Sequence, residues 1–248
     1  MQGPREIVSG VYGLGSKMVN WYLVEDGGKL TAVDAGVPGF SKTFEDDLRA
    51  IGHEPADVEA LVLTHSDADH TGLASNLQEA GAKVLIHSGD LETLRKPGLK
   101  KGDASPIHLL PSLWRPQFWQ IAIHLAREGA ARPPKVEGAE TFSGGETLEV
   151  PGTPRVIAMH GHTPGHCAIH FEGRGALFVG DGLCTWNPLT GSTGAQLMPS
   201  PLNVSNAGAL EALREIEGVE ADALMVGHGD PWREGPAAAV AEARERAG

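Results

Sequence analysis

An α/β fold is predicted for this chain by three observations. Short apolar runs alternate with helically spaced segments through the first 90 residues. A two-strand hairpin signal opens that half, with Asp26-Gly27-Gly28 as its turn. Strand-rich sequence returns from about Glu137 and gives way to helix formers at the end.

The elements follow in order. From Val19 to Val33 two β-branched and aromatic runs flank the Asp26-Gly27-Gly28 turn and end at Asp34. Phe44, Leu48 and Ile51, backed by Gly52, have the spacing and stop signal of a helix. ALVLTH is a short buried strand, GLASNLQEAGA a second helix and KVLIH another strand. Between about residues 88 and 135 the pattern becomes irregular, consistent with an insertion, with one helix expected from Pro116 to Glu128. Trp114, Phe118 and Trp119 concentrate aromatic area there in a chain that is only 5% aromatic, which suits either a lid over a pocket or an ordinary packed helix. Farther on, ETLEV, RVIAM, HCAIHF and ALFVGD are expected strands between Gly and Pro turns. LEALREIEG is helical, ADALMVGHG is a strand running into a loop, and PAAAVAEARERA is a terminal helix of strong helix formers.

Composition limits the function. At 248 residues, with 41% hydrophobic and 21% charged side chains, the chain can bury a sizeable core and lacks the signature of disorder. A formal net charge of -12 repels a phosphate backbone, and no basic stripe offsets it, so nucleic acid is not an expected partner. Cys167 and Cys184 are too few for a disulfide framework. Neither an apolar leader nor an uninterrupted apolar run of membrane-spanning length is present, so the expectation is a cytoplasmic protein with no membrane partner and a small-molecule substrate, its oligomeric state left open.

The most informative segment is Thr64-His65-Ser66-Asp67-Ala68-Asp69-His70, with four possible metal ligands in six positions just past an apolar strand. Neutral imidazole and ionised carboxylate are what borderline and hard divalent cations bind. Without a cation the same cluster would stack like charges. Three other segments repeat the arrangement, placing His162, Asp181 and His228 where an apolar run meets glycine. Any one of them alone is most simply a turn or capping residue; four such segments together point to a shared site.

In these motifs the sequence resembles the metallo-β-lactamase superfamily over nearly its whole length. The five motifs stand in order as Asp34 after a strand, His65-x-Asp67-x-Asp69-His70, His162 in GHTPGH, Asp181 in GDG and His228 in GHG. The resemblance implies one domain over 1–248, a four-layer αββα sandwich of two mixed sheets with helices on the outer faces and a helical insertion at about 88–135. It also implies two divalent metal ions, zinc first with iron or manganese as alternatives. His65, Asp67 and His162 would hold one ion, Asp69, His70 and His228 the other, and Asp181 would bridge them, with Asp34 supporting the ligands from behind. The implied activity is hydrolysis of a small ester, thioester or lactone by a metal-bridging hydroxide, with Asp69 as the candidate catalytic proton carrier. A non-haem di-iron redox enzyme, or a metal-binding member without catalysis, is the alternative.

One departure stands out. Asp67 occupies the place of the family's usual second histidine, so each ion would have two histidines, one terminal carboxylate and the shared Asp181. Three carboxylates against two divalent ions leave about one positive charge, and an oxygen ligand shifts the first site toward harder cations. Absences narrow the substrate further. Cys184 stands where family lactonases acting on acylated homoserine lactones carry a tyrosine, and the stretch after His228 is short for the glutathione-binding extension of glyoxalase II. Asp181 stands where true β-lactamases have cysteine or serine. The other histidines, His160 and His166 included, are expected in packing or hydrogen-bonding roles.

Overall fold

The computed structural model describes residues 3–97 and 106–247, so residues 98–105 of the expected insertion lie outside the described residues. Strands β1 (Arg5–Val8), β2 (Val11–Ser16), β3 (Val19–Asp26), β4 (Lys29–Val33), β5 (Val58–Val62), β6 (Lys83–His87) and β7 (Glu140–Phe142) form a seven-stranded sheet in sequence order. It is antiparallel from β1 to β4 and parallel from β4 to β7. Strands β8 (Arg155–Ala158), β9 (Cys167–Phe171), β10 (Ala176–Gly180) and β13 (Ala223–Val226) make a second mixed sheet in the order β13-β10-β9-β8, and β11 (Cys184–Trp186) pairs with β12 (Thr193–Gln196) in a separate ribbon. The helices are α1 (Phe44–Ala50), α2 (Ala74–Glu79), α3 (Leu91–Arg95), α4 (Pro116–Arg127), α5 (Asn206–Ala212), α6 (Arg214–Glu217) and α7 (Pro236–Ala247).

Strand alternation sets the layering. On β3, Trp21 and Leu23 pack toward the side of α1 and α2 with Phe44, Leu48 and Leu77, whereas Tyr22 and Val24 face the other sheet. On β10, Ala176 and Phe178 join that central layer, and Leu177 and Val179 pack with Leu213, Ile216 and Val240 of the opposite helical layer. Three apolar layers between two helical faces and two sheets are the expected αββα sandwich. No helix among the described residues is long and apolar enough to cross a membrane.

The predicted hairpin is β3–β4, with Gly27 and Gly28 both at positive φ, 58° and 79°, the backbone a two-residue turn of this hand requires. Ile51 lies one residue past α1 instead of on it. ETLEV does not form a strand: its only ladder contact is an isolated bridge from Thr147 to Arg155, although Leu148 and Val150 are buried. The alternation there records burial with little pairing, two backbone hydrogen bonds flanking that bridge from Leu148 N to the Pro154 carbonyl and from Val156 N to the Glu146 carbonyl. The edge position is taken instead by β7, three residues that pair in parallel with β6. LEALREIEG is divided at Leu213 into α5 and α6.

Strand direction places the candidate site. β4, β5 and β6 run parallel, and β8, β10 and β13 also share one direction, since β9 is antiparallel to both β8 and β10. Asp34, His65, His162, Asp181 and His228 all lie just past the carboxyl ends of these strands, where α/β sheets place their ligand crevices.

Candidate metal centre

Each candidate histidine is anchored through one ring nitrogen, which leaves the other to face inward. Asp34, buried and at φ 58°, accepts from the backbone N–H of Thr64 at 2.8 Å and from its hydroxyl at 2.9 Å, and lies 2.9 Å from His70 Nδ1. A carboxylate only accepts, so His70 carries its proton on Nδ1 and turns Nε2 inward. His65 Nδ1 lies 2.9 Å from the Thr64 hydroxyl, whose own hydrogen is committed to Asp34. His162 Nδ1 is 3.0 Å from Asn203 Oδ1, fixed as the acceptor because Asn203 Nδ2 donates to the Met198 carbonyl. His228 Nδ1 donates to the Met18 carbonyl. In all four rings Nε2 is the atom turned toward the centre, the arrangement in which backing groups orient metal-binding imidazoles.

These faces meet three carboxylates. His162 Nε2 is 3.2 Å from Asp67 Oδ2 and 3.5 Å from Asp181 Oδ2. His65 Nε2 is 3.8 Å from Asp67 Oδ2 and 4.0 Å from Asp181 Oδ2. On the other side, Asp181 lies 3.4 Å from His70 Nε2 and 3.2 Å from His228 Nε2, and Asp69 Oδ2 is 3.7 Å from His228 Nε2. One ligand atom each from His65, Asp67 and His162 lies within 4.8 Å of the others, and the same holds for Asp69, His70 and His228. Asp181 touches members of both triads. Gly227 is required beside it, because a Cβ there would run into Asp181 Oδ1 and the His70 ring.

The donor set fits a divalent cation. His65 is fully buried, yet its Nε2 has no hydrogen-bond partner among the described residues, a cost that an ion would remove. Burial, reinforced by the neighbouring His70 charge, holds the His65 pKa well below the usual imidazole value, so it stays neutral and able to ligate. Burial also opposes charge on His70 and His228, but Asp181 raises both, aided at His70 by Asp34. Asp181 is itself held well below the usual carboxylate range, His228 and His70 outweighing its burial. Positive charge is what this cluster demands, and a metal meets that demand by displacing protons.

The sequence reasoning missed two residues that hold the loops. Asp90, fully buried after β6, accepts from Ser66 N at 3.0 Å, from the Thr163 hydroxyl at 2.7 Å and from Gly165 N at 2.7 Å. It ties the loop of His65–His70 to the loop of His162. The signal was present, since KVLIHSGD sets a carboxylate past an apolar strand just as the recognised motifs do. Asn203 carries no such signal. His166 packs its ring 5.3 Å from His65, with Nδ1 3.2 Å from the Met159 carbonyl, and His160 is exposed against His87; neither ring is in either triad.

Above the cluster lies a cavity of about 230 Å³ whose floor includes Asp67, Asp69 and Asp181 and one wall of which is α4. Phe118 faces into it. Trp114, grouped with it in the sequence as suiting either a lid or a packed helix, is 91% exposed, and Trp119 lies on the outer face with its indole N–H donating to the Leu113 carbonyl.

Residues 14–228 match the sequence pattern of a family described as the Metallo-beta-lactamase superfamily. A probable metallo-hydrolase from Bacillus subtilis (strain 168), YflN, is 25% identical over 244 residues, spanning 91% of this chain and 86% of the relative. A hydroxyacylglutathione hydrolase from Rhodobacter capsulatus is 31% identical over 127 residues, 51% of this chain and 34% of that protein. The crystal structure of a metallo-beta-lactamase family protein from Thermus thermophilus superposes with a TM-score of 0.69 at 23% identity, covering 97% of this chain and 80% of that one.

Proposed function

The chain is a metal-dependent hydrolase of the metallo-beta-lactamase superfamily, and on that premise we propose that its seven-residue cluster holds two divalent ions and hydrolyses a small ester, thioester or lactone. The observation that carries this reading is the inward convergence of four imidazole Nε2 atoms on three carboxylates, with every Nδ1 tied back. His65, Asp67 and His162 would hold one ion and Asp69, His70 and His228 the other, with Asp181 shared. Zinc suits both sets, and the oxygen donor of Asp67 also admits iron(II) or manganese. When bound, such a pair supplies a nucleophilic hydroxide near neutral pH and polarises the scissile carbonyl.

The chain's own groups do the rest. Asp34 keeps the His70 proton on Nδ1, and Asn203 and the Met18 carbonyl do the same for His162 and His228. Asp69, partly exposed at the cavity floor, would take a proton on a carboxylate oxygen and return it to the leaving group. Phe118, Ile121 and Leu125 of α4 wall one side of the space beside the cluster in which the reacting carbonyl would sit.

The test is elemental analysis of protein purified without added metal, followed by turnover of chromogenic esters, thioesters and lactones with and without chelator. Two equivalents of divalent ion and chelator-sensitive turnover are expected. Turnover indifferent to metal removal would overturn the reading. Iron as the native metal, with oxygen consumption and no ester turnover, would favour the di-iron redox alternative that the Asp67 oxygen also suits.

A further inference from the structure

The cavity above the metal cluster has walls of a single chemical kind. Phe118, Ile121 and Leu125 line one side at the i, i+3, i+7 spacing of one face of α4, and Leu189, Met198 and Leu202 line the other. Asp67, Asp69 and Asp181 reach it at the floor together with the cluster's own His162 and His228, and no lysine or arginine lines it among the described residues. A substrate carboxylate or phosphate seated against these walls would lose its water and gain no lysine or arginine partner, a cost of several kcal/mol. Nor would the floor attract it strongly, since the three carboxylates cancel most of the charge that two divalent ions bring.

From these walls, and resting on the hydrolase reading above, we propose that the protein is selective for an uncharged, apolar acyl group, held against the inner face of α4 with its carbonyl at the metal cluster. Size follows from volume. An apolar cavity of about 150 Å³ holds benzene, so the 230 Å³ here accommodates about six to nine heavy atoms. Hexanoyl to octanoyl chains, or a phenylacetyl group, fill it. An acetyl group leaves most of the wall wet. Succinyl and glutaryl groups of similar length place a carboxylate against leucine and phenylalanine.

The test uses the metal-loaded protein and a p-nitrophenyl ester series from acetyl to dodecanoyl, with the monosuccinyl ester as the anionic control. Burial of each methylene multiplies kcat/KM by about fourfold, so hexanoyl should exceed acetyl by about a hundredfold or more, with the gain ending near nine heavy atoms. The succinyl ester should fall more than about a hundredfold below the butyryl ester. Ala122→Phe, which fills the cavity from α4, should flatten the hexanoyl-to-acetyl ratio, its folding verified by circular dichroism and metal content. Calorimetry with 1-hexanol, which cannot be hydrolysed, should show binding with a negative heat-capacity change that Ala122→Phe abolishes.

The two readings fail differently. Ester turnover with a flat chain-length profile, or with the succinyl ester preferred, overturns the acyl pocket and leaves the hydrolase. No turnover of any ester, with 1-hexanol bound and Ala122→Phe blocking it, refutes ester hydrolysis and retains the pocket. Absence of 1-hexanol binding overturns the pocket by itself.

Discussion

Replacing Asp90 by alanine tests how the two loops that carry the candidate metal ligands are held together. Asp90 accepts three hydrogen bonds, from Ser66 N, Gly165 N and the Thr163 hydroxyl, at 2.7 to 3.0 Å in a fully buried setting. A hydrogen bond to a charged group contributes about 1.5 to 3 kcal/mol, and a buried donor left without a partner costs about as much. Water entering the vacated volume recovers part of this, so Asp90→Ala should destabilise the metal-free protein by about 4 kcal/mol. For a chain of this size that is a fall of about 8 to 16 °C in Tm. Asp90→Asn keeps one accepting oxygen but points an amide N–H₂ at donors, and should lose about half as much. Thermal unfolding by circular dichroism reads both, and a metal titration reads the second consequence. With Ser66 and Gly165 released, the histidines on either side lose their relative placement and affinity falls by about ten- to a hundredfold. A Tm within about 2 °C of the parent for Asp90→Ala would show that the three hydrogen bonds carry no net stability and refute the clamp.

Other outcomes follow from the same geometry. Asp181→Ala removes the carboxylate that both triads touch, so metal content should fall below two equivalents and turnover should vanish; full occupancy at both positions would rule out the shared role. Asp67→His should keep metal while shifting competition toward zinc over manganese by at least about tenfold, because nitrogen replaces oxygen in the donor set; an unchanged preference would count against Asp67 as a ligand. Burial pushes the Cys167 thiol up to about 12, so it should not react with a disulfide reagent at pH 8 until the protein unfolds. A raised pKa favours the folded state fully below the unfolded thiol value of 9.0, and this stabilisation is lost as pH rises from there through about 12; rapid native-state labelling of Cys167 would contradict the burial.

Local signals made one part of the molecule legible from sequence. The β3–β4 hairpin was readable because two adjacent glycines supply its turn, and α4 because Pro116 stands at its first position and apolar residues recur at helical spacing behind it. The candidate ligand segments were readable because each follows its own apolar strand. Elements that depend on distant partners were not. β2 carries Gly13 and Gly15, poor strand formers, and becomes a strand by pairing with β3. β7 is three residues long and exists through its parallel register with β6, its residues paired with partners 55 positions earlier. The misread ETLEV has the alternation of a strand because Leu148 and Val150 are buried, while its backbone finds one bridge. At the site the same division holds. His65, Asp67, Asp69 and His70 sit together in sequence, whereas Asn203 reaches His162 from a loop 41 residues away, and a carbonyl at Met18 that could belong to any residue orients His228. Asp90 falls between these cases, its strand-end position visible and its two partner loops not.

The most direct measurement is anomalous diffraction from a crystal grown with zinc or manganese, collected on both sides of the metal absorption edge. Two peaks are expected, one within bonding distance of His65, Asp67 and His162 and one of Asp69, His70 and His228, with Asp181 reaching both. A single peak, or peaks away from these side chains, would contradict the account.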